Sequence, residues 1–280
     1  MRLPELATGD LHVLGRLADA SNLALLAQVS TDAGAIRCIY KPVRGERPLW
    51  DFPDTALAAR EVLCAQVAAG LGWDLIPATH WRTDGPLGPG MCQEWIEAVD
   101  DPPVGLFDRD QVPDRWRQIA EGRTSEGGIV VLAHEDSPAL QRLAVLDALV
   151  NNADRKGGHV LRRADGGLAG IDHGVSFHVE NKLRTVLWGW AGERLPDALA
   201  EELDAGATSF RSLVTQWGGA TDGGAADGGA ADGAVAAAAG RGHLSTDEVA
   251  AAHARLDELL RTRRFPMPGA QWPTLPWPPM

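Results

Sequence analysis

The chain has only three cysteines, Cys38, Cys64 and Cys92. They are isolated and lack metal-ligand spacing, which excludes a disulfide framework and a cysteine zinc site. Basic runs are missing altogether, and the formal charge is −12 over 280 residues. Nucleic acid and anionic lipid are both held by clustered Lys and Arg, so neither is an expected partner. No apolar stretch reaches the length of a membrane span, and the opening Met1-Arg2-Leu3-Pro4-Glu5-Leu6 has no signal-peptide core. A cytoplasmic protein without a membrane span is therefore expected. What remains is ordinary for a globular protein, 45% hydrophobic and 23% charged, and long enough for one bilobed domain or two small ones.

The richest stretch is Asn152-Ala153-Asp154-Arg155-Lys156-Gly157-Gly158-His159-Val160-Leu161, followed by Ala169-Gly170-Ile171-Asp172-His173-Gly174. It reads as helix, tight polar loop, strand, turn and strand, with one carboxylate in the loop and another after the last strand. Phosphoryl transfer of the kinase type needs such a pair, one Asp to accept the proton of the attacking hydroxyl and one to hold metal at the nucleotide phosphates. His159 falls five residues after Asp154, where the kinase catalytic loop carries a metal ligand, usually Asn. Arg155 and Lys156 are candidate cations for the transferring phosphate. The same residues also suit a plain hairpin connection, with Gly157-Gly158 and Gly166-Gly167 as turns and the Asp residues as caps.

Upstream, residues 11–43 read as strands around two turns. The first turn contains Ser21 and Asn22, small residues of the kind that let backbone N–H groups approach phosphates, although no G-x-G-x-x-G is present and an ordinary meander fits equally well. Lys41 ends an apolar run, Cys38-Ile39-Tyr40, before Pro42. Facing inward it needs a carboxylate or a phosphate, and facing outward it snorkels to water. A helix beginning at Pro53-Asp54-Thr55 and ending at Gly70 offers Glu61 on the side expected to face the sheet. Two further strands, Leu75–Trp81 and Met91–Glu97, complete a five-stranded sheet. Glu94, Trp95 and Ile96 would then be the hinge receiving adenine, with Trp95 equally suited to plain core.

Residues 98–136 are polar and give little, apart from a short helix at Trp116 and Ile119. Ser137-Pro138 starts a helix whose Leu140, Leu143, Leu146 and Leu149 run into the Asp154 loop. Residues 197–217 form another amphipathic helix. Residues 218–243 repeat Ala, Asp and Gly without large apolar side chains and read as an acidic linker. A capping box at Ser245-Thr246-Asp247-Glu248 opens a last helix, and a Pro/Trp tail follows from Phe265. The division expected is 1–97, 98–217, 218–243 and 244–280.

Taken in order, Ile39-Tyr40-Lys41-Pro42, Arg60-Glu61, Leu71 to Thr79, Asn152-Ala153-Asp154-Arg155 and Ile171-Asp172-His173-Gly174 resemble the phosphatidylinositol 3- and 4-kinase-related family, type II phosphatidylinositol 4-kinases in particular. The resemblance covers roughly residues 10–215. It implies an α+β, bilobed, atypical protein-kinase-like fold, with an antiparallel N-lobe sheet carrying one helix and a mainly helical C-lobe. ATP would lie between the lobes. It makes Lys41 the phosphate-binding lysine, Glu61 its partner, Ser21 and Asn22 part of the phosphate loop, Asp154 the catalytic Asp and Asp172 the metal ligand. His159 departs from the family's Asn and favours Mn²⁺ over Mg²⁺. The acidic chain lacks the basic surface of a lipid kinase. The expected activity is thus transfer of phosphate from ATP, with a divalent cation (Mg or Mn), to a hydroxyl of an unidentified soluble acceptor. The alternative is a nucleotide-binding pseudokinase that engages a protein partner through its linker or tail.

Overall fold

The computed structural model describes residues 3–18, 22–52, 57–124, 127–220 and 244–280. Two compact units divide the chain, one of residues 1–95 with 208–251 and one of 96–207 with 252–280. The fold class is the expected α+β.

In the first unit, helix α1 (Glu5–Thr8) precedes strands β1 (Asp10–Arg16), β2 (Leu25–Thr31) and β3 (Gly34–Pro42). Helix α2 (Leu57–Gly70) follows, then β4 (Thr79–Gly85) and β5 (Gly88–Glu94). The strands form one antiparallel sheet in the order β1-β2-β3-β5-β4. Side chains alternate across a strand, so Cys38 and Tyr40 enter the core of Leu6, Leu11, Ala27, Val29 and Cys92, while Lys41 takes the opposite face. β4 starts at Thr79 instead of Leu75, because Pro77 lacks the N–H a ladder needs and Leu75 and Ile76 are buried as irregular chain. Gly85 and Gly88 pair across a two-residue hairpin, with Gly88 at φ +95°, a value only glycine adopts freely.

The expected start of α2 at Pro53-Asp54-Thr55 lies outside the described residues. Both Glu46 carboxylate oxygens accept backbone N–H groups at the described start of the helix, from Leu57 and Ala58, at 2.8 Å. α2 is buried on nearly every side. Arg60, buried over the Phe52 ring, pairs with Glu248 at 2.6 Å. Trp217 donates its indole N–H to Gln66 at 2.9 Å.

The second unit contains β6 (Val104–Asp108), β7 (Trp116–Arg123) and β8 (Ile129–Glu135), a three-stranded antiparallel sheet in the order β6-β8-β7. The short helix expected at Trp116 and Ile119 is therefore a strand. The β-branched run Ile129-Val130-Val131 makes β8 the central strand, and pairing along it overrides the weak helical pattern of its neighbour. Helix α3 (Pro138–Val150) is N-capped by Ser137 and closed by Asn151 in the left-handed region at φ 55°. The hairpin β9 (Val160–Arg162) and β10 (Leu168–Gly170) comes next. Helix α4 (Asp197–Trp217) contributes to both units, as does α5 (Thr246–Thr262). Of the expected linker, Gly218–Ala220 forms β11, parallel to β12 (Leu244–Ser245), and residues 221–243 lie outside the described residues. No helix among the described residues is long and apolar enough to cross a membrane.

His134 on β8 links this sheet to the segment after β10. Its Nδ1–H donates to the Glu135 carbonyl at 2.6 Å, its Nε2 accepts the Gly189 N–H at 3.1 Å, and its ring lies 4.3 Å from that of Trp190. Burial pushes it down to about 4 from 6.5, with the Glu135 carbonyl opposing and the nearby Arg117 charge assisting. The folded value lies below the unfolded one, so the unfolded chain binds the extra proton. Stability from this site is whole above about 6.5 and is lost as pH falls toward 4, by up to roughly 3 kcal/mol. In urea titrations between these pH values, His134→Gln is expected to show a shallower loss than the parent protein. Equal slopes would contradict the assignment.

Candidate functional site

In the first unit, Lys41 Nζ donates to Glu61 Oε1 at 2.8 Å, joining β3 to α2. The side chains are 19% and 5% exposed, so a buried carboxylate holds an ammonium that keeps some access to solvent. Asn22 lies in the β1–β2 connection, where its Oδ1 accepts the Arg47 N–H at 2.9 Å. Ser21 lies outside the described residues. Of the expected adenine contacts, Glu94 and Trp95 spend their N–H groups on the carbonyls of Ala78 and Arg37, at 2.8 and 3.0 Å. Those two donors are therefore engaged within the unit. Ile96 is the first residue of the second unit and is half-buried.

The second unit brings the other candidates together around one buried ion pair. Asp147 sits on α3 and Arg155 in the following loop, and both side chains are 0% exposed. Arg155 Nε donates to Asp147 Oδ2 at 2.9 Å and Nη2 to Oδ1 at 2.8 Å. Nη1 donates to the carbonyls of Ile171, at 2.8 Å, and His159, at 3.3 Å. The second Nη2–H donates to His173 Nε2 at 2.6 Å. Five N–H groups thus meet five acceptors, a complete use of the guanidinium. Arg155 is consequently not a cation for a transferring phosphate. It clamps the loop, gripping the backbone of His159 and both neighbours of Asp172.

Asn152 extends the clamp. Its Nδ2 donates to Asp147 Oδ1 at 3.0 Å and its Oδ1 accepts the Asp154 N–H at 3.0 Å. A short bridge fixes the other side, for Arg155 N–H donates to the Arg184 carbonyl and Arg184 N–H to the Asn152 carbonyl, each at 3.0 Å. Asp172 takes a left-handed backbone, φ 56°, which turns its carboxylate toward His159, with Oδ2 3.5 Å from Nε2. These side chains are 42% and 17% exposed. Lys156 Nζ lies 3.4 Å from Asp154 Oδ2. Burial raises the Asp154 carboxyl above its usual range. Lys156 opposes this, the Asp172 charge adds to it, and Arg184 opposes it.

His159 Nε2 and Asp172 Oδ2 side by side could supply two ligands to a divalent cation, and among the described residues no group of three or more His, Cys, Asp or Glu could hold one. Asp147 and Arg184 escape the sequence reading, and Asn152 and His173 enter it only as parts of motifs, without roles of their own. Asp147 leaves one signal, an acid within the apolar run Leu143 to Val150, which demands a buried cation.

Strand order, the helix between β3 and β4 and the separate sheet of the second unit make an α+β fold. No family model matches the chain. Protein Rv2133c of Mycobacterium tuberculosis is 41% identical over 283 residues, covering 98% of this chain and 93% of that protein, and the chain belongs to its family. Among solved structures, the Helicobacter pylori proinflammatory kinase CtkA aligns over 93% of this chain and 94% of its own, with 10% identity and a TM-score of 0.42.

Two outcomes follow from the geometry. Asp147→Asn leaves the Arg155 charge buried without its counter-ion and is expected to cost about 3–5 kcal/mol in denaturant unfolding, where a loss below about 1 kcal/mol would contradict the clamp. Lys156→Ala removes a charge that favours ionised Asp154, so carbon NMR should find that carboxyl titrating higher than in the parent protein. An unchanged titration would remove Lys156 from the Asp154 environment.

Proposed function

We propose that the protein is an ATP-dependent phosphotransferase of the phosphatidylinositol 3- and 4-kinase-related type, acting on a hydroxyl of a soluble small molecule or protein. The observation that carries this reading is the Lys41–Glu61 pair at 2.8 Å, a strand lysine held by a helix carboxylate on an antiparallel sheet. A phosphate-binding lysine needs this support, because the carboxylate fixes a flexible ammonium where phosphate oxygens can share it.

In this mechanism Lys41 binds the α- and β-phosphates and Glu61 keeps it aimed. Asp154, its carboxyl raised by burial, accepts the hydroxyl proton of the acceptor and orients the oxygen for attack. Lys156 and Arg184, the cations beside Asp154, offset charge on the transferring phosphate in place of the buried Arg155. Asp172 and His159 would hold a divalent cation, which when bound neutralises phosphate charge. The lipid acceptor of the family is disfavoured by a net charge of −12 and the lack of a basic run.

His159 favours a second reading, that of a nucleotide-binding pseudokinase. Its Nδ1 faces the Lys156 N–H at 3.5 Å and its Nε2 faces Asp172 Oδ2 at 3.5 Å, so both ring nitrogens already face protein groups.

The test is transfer of label from ATP to acceptor candidates and to water, with Mg²⁺ or Mn²⁺. The reading expects label from the γ- but not the α-position, and a loss of at least roughly 100-fold in kcat for Asp154→Ala with little change in KM for ATP. Undiminished transfer by Asp154→Ala would overturn it. Label from the α-position would instead mean AMP transfer, and nucleotide binding without any transfer would favour the pseudokinase.

A further inference from the structure

The tail after α5 meets the rest of the second unit near Phe265, at Trp272 to Thr274 and at its last two residues. Phe265 stacks on Trp190, with centroids 5.6 Å apart, and exchanges backbone hydrogen bonds with Gly192 and Glu193 at 3.1 and 2.9 Å. Trp272 lies under Lys182 Nζ at 4.2 Å and beside the Arg184 guanidinium at 5.9 Å. The Thr274 carbonyl accepts two donors from the segment after Asp172, Thr185 N–H at 3.1 Å and Trp188 Nε1–H at 2.8 Å. The tail then reaches the Asp154 loop itself. Gly157 N–H donates to the Pro279 carbonyl at 2.8 Å. Gly157 is packed so closely that a Cβ there would fall 2.5 Å from Met280 Sδ and 3.2 Å from Val104 Cγ1.

Two features make this a built contact. Prolines at 266, 268, 273, 276, 278 and 279 restrict the free tail, so little backbone entropy is lost on docking. The tail also contacts both strands of the bridge that flanks Asp154. On one side is the Gly157 loop and on the other the segment 182–188, whose Arg184 pairs with the backbone of Asn152 and Arg155. A loop held at its buried end by Arg155 still needs its outer end fixed, and Gly157 lies three residues after Asp154.

We propose that residues 272–280 are a positioning element of the active site, a strap that locks Gly157 and thereby sets Asp154, Lys156 and His159 for phosphoryl transfer. The catalytic part of this proposal rests on the function proposed above, and the docking part does not.

The test uses the full chain carrying Trp272→Ala with Met280→Ala, and a second set of Gly157→Ala alone and with Met280→Ala. Hydrogen exchange at the Gly157 amide reads docking, and acceptor-free ATP hydrolysis reads positioning. The tail variant is expected to exchange that amide more than tenfold faster and to lose roughly 10- to 100-fold in kcat with KM for ATP unchanged. Gly157→Ala should lose activity and regain most of it when Met280→Ala makes room for the added methyl group. Unchanged exchange would overturn the docking, and faster exchange with unchanged or increased kcat would overturn the positioning role. Should the parent protein hydrolyse no ATP, only the proposed function fails. Exchange at the Asp154 to His159 amides then decides the strap, with acceleration across the loop supporting it and none overturning it.

Discussion

The candidate site depends on one buried ion pair. Moving an aspartate and an arginine out of water costs several kcal/mol each, and that cost is offset only when every donor and lone pair finds a partner. Arg155 meets that condition, with five N–H groups used on a carboxylate, two carbonyls and an imidazole, and Asp147 also accepts the Asn152 amide. The partners lie on α3, in the loop after it and on both sides of Asp172. The pair therefore turns a polar loop, which would otherwise be mobile, into a rigid support for Asp154, His159 and Asp172.

The same logic separates what is legible in the sequence from what is not. The Lys41–Glu61 pairing is legible because Pro42 marks the strand end, an apolar run marks the strand, and helical phase puts Glu61 on the sheet side. The approach of His159 to Asp172 is legible because both fall in one stretch that reads as loop, strand, turn and strand. Arg155 is misread because a cation beside a catalytic acid looks like a phosphate ligand, and only the folded chain shows Asp147 returning from the preceding helix to bury it. The sheet of β6, β7 and β8 is missed for another reason. Its outer strands are polar and half-exposed, so the signal lies mostly in Ile129-Val130-Val131, and pairing supplies the rest.

Charge and burial also shape the chemistry proposed. The chain as a whole is acidic, yet Lys156 and Arg184 stand beside Asp154 and oppose the desolvation that raises its carboxyl. Burial thus makes Asp154 a stronger base than an exposed carboxylate, while the two cations favour its charged form. The Pro/Trp tail gives the loop a second point of attachment on the side that the buried pair does not reach.

The most direct measurement is the melting midpoint of the pure protein with ATP and Mg²⁺, Mn²⁺ or no metal, for the parent chain and Asp172→Ala. A ligand that binds only the folded state raises the midpoint by mass action. The account predicts a metal-dependent rise, larger with Mn²⁺ because of His159 and abolished in Asp172→Ala. No rise with any metal, or an equal rise in Asp172→Ala, would contradict it.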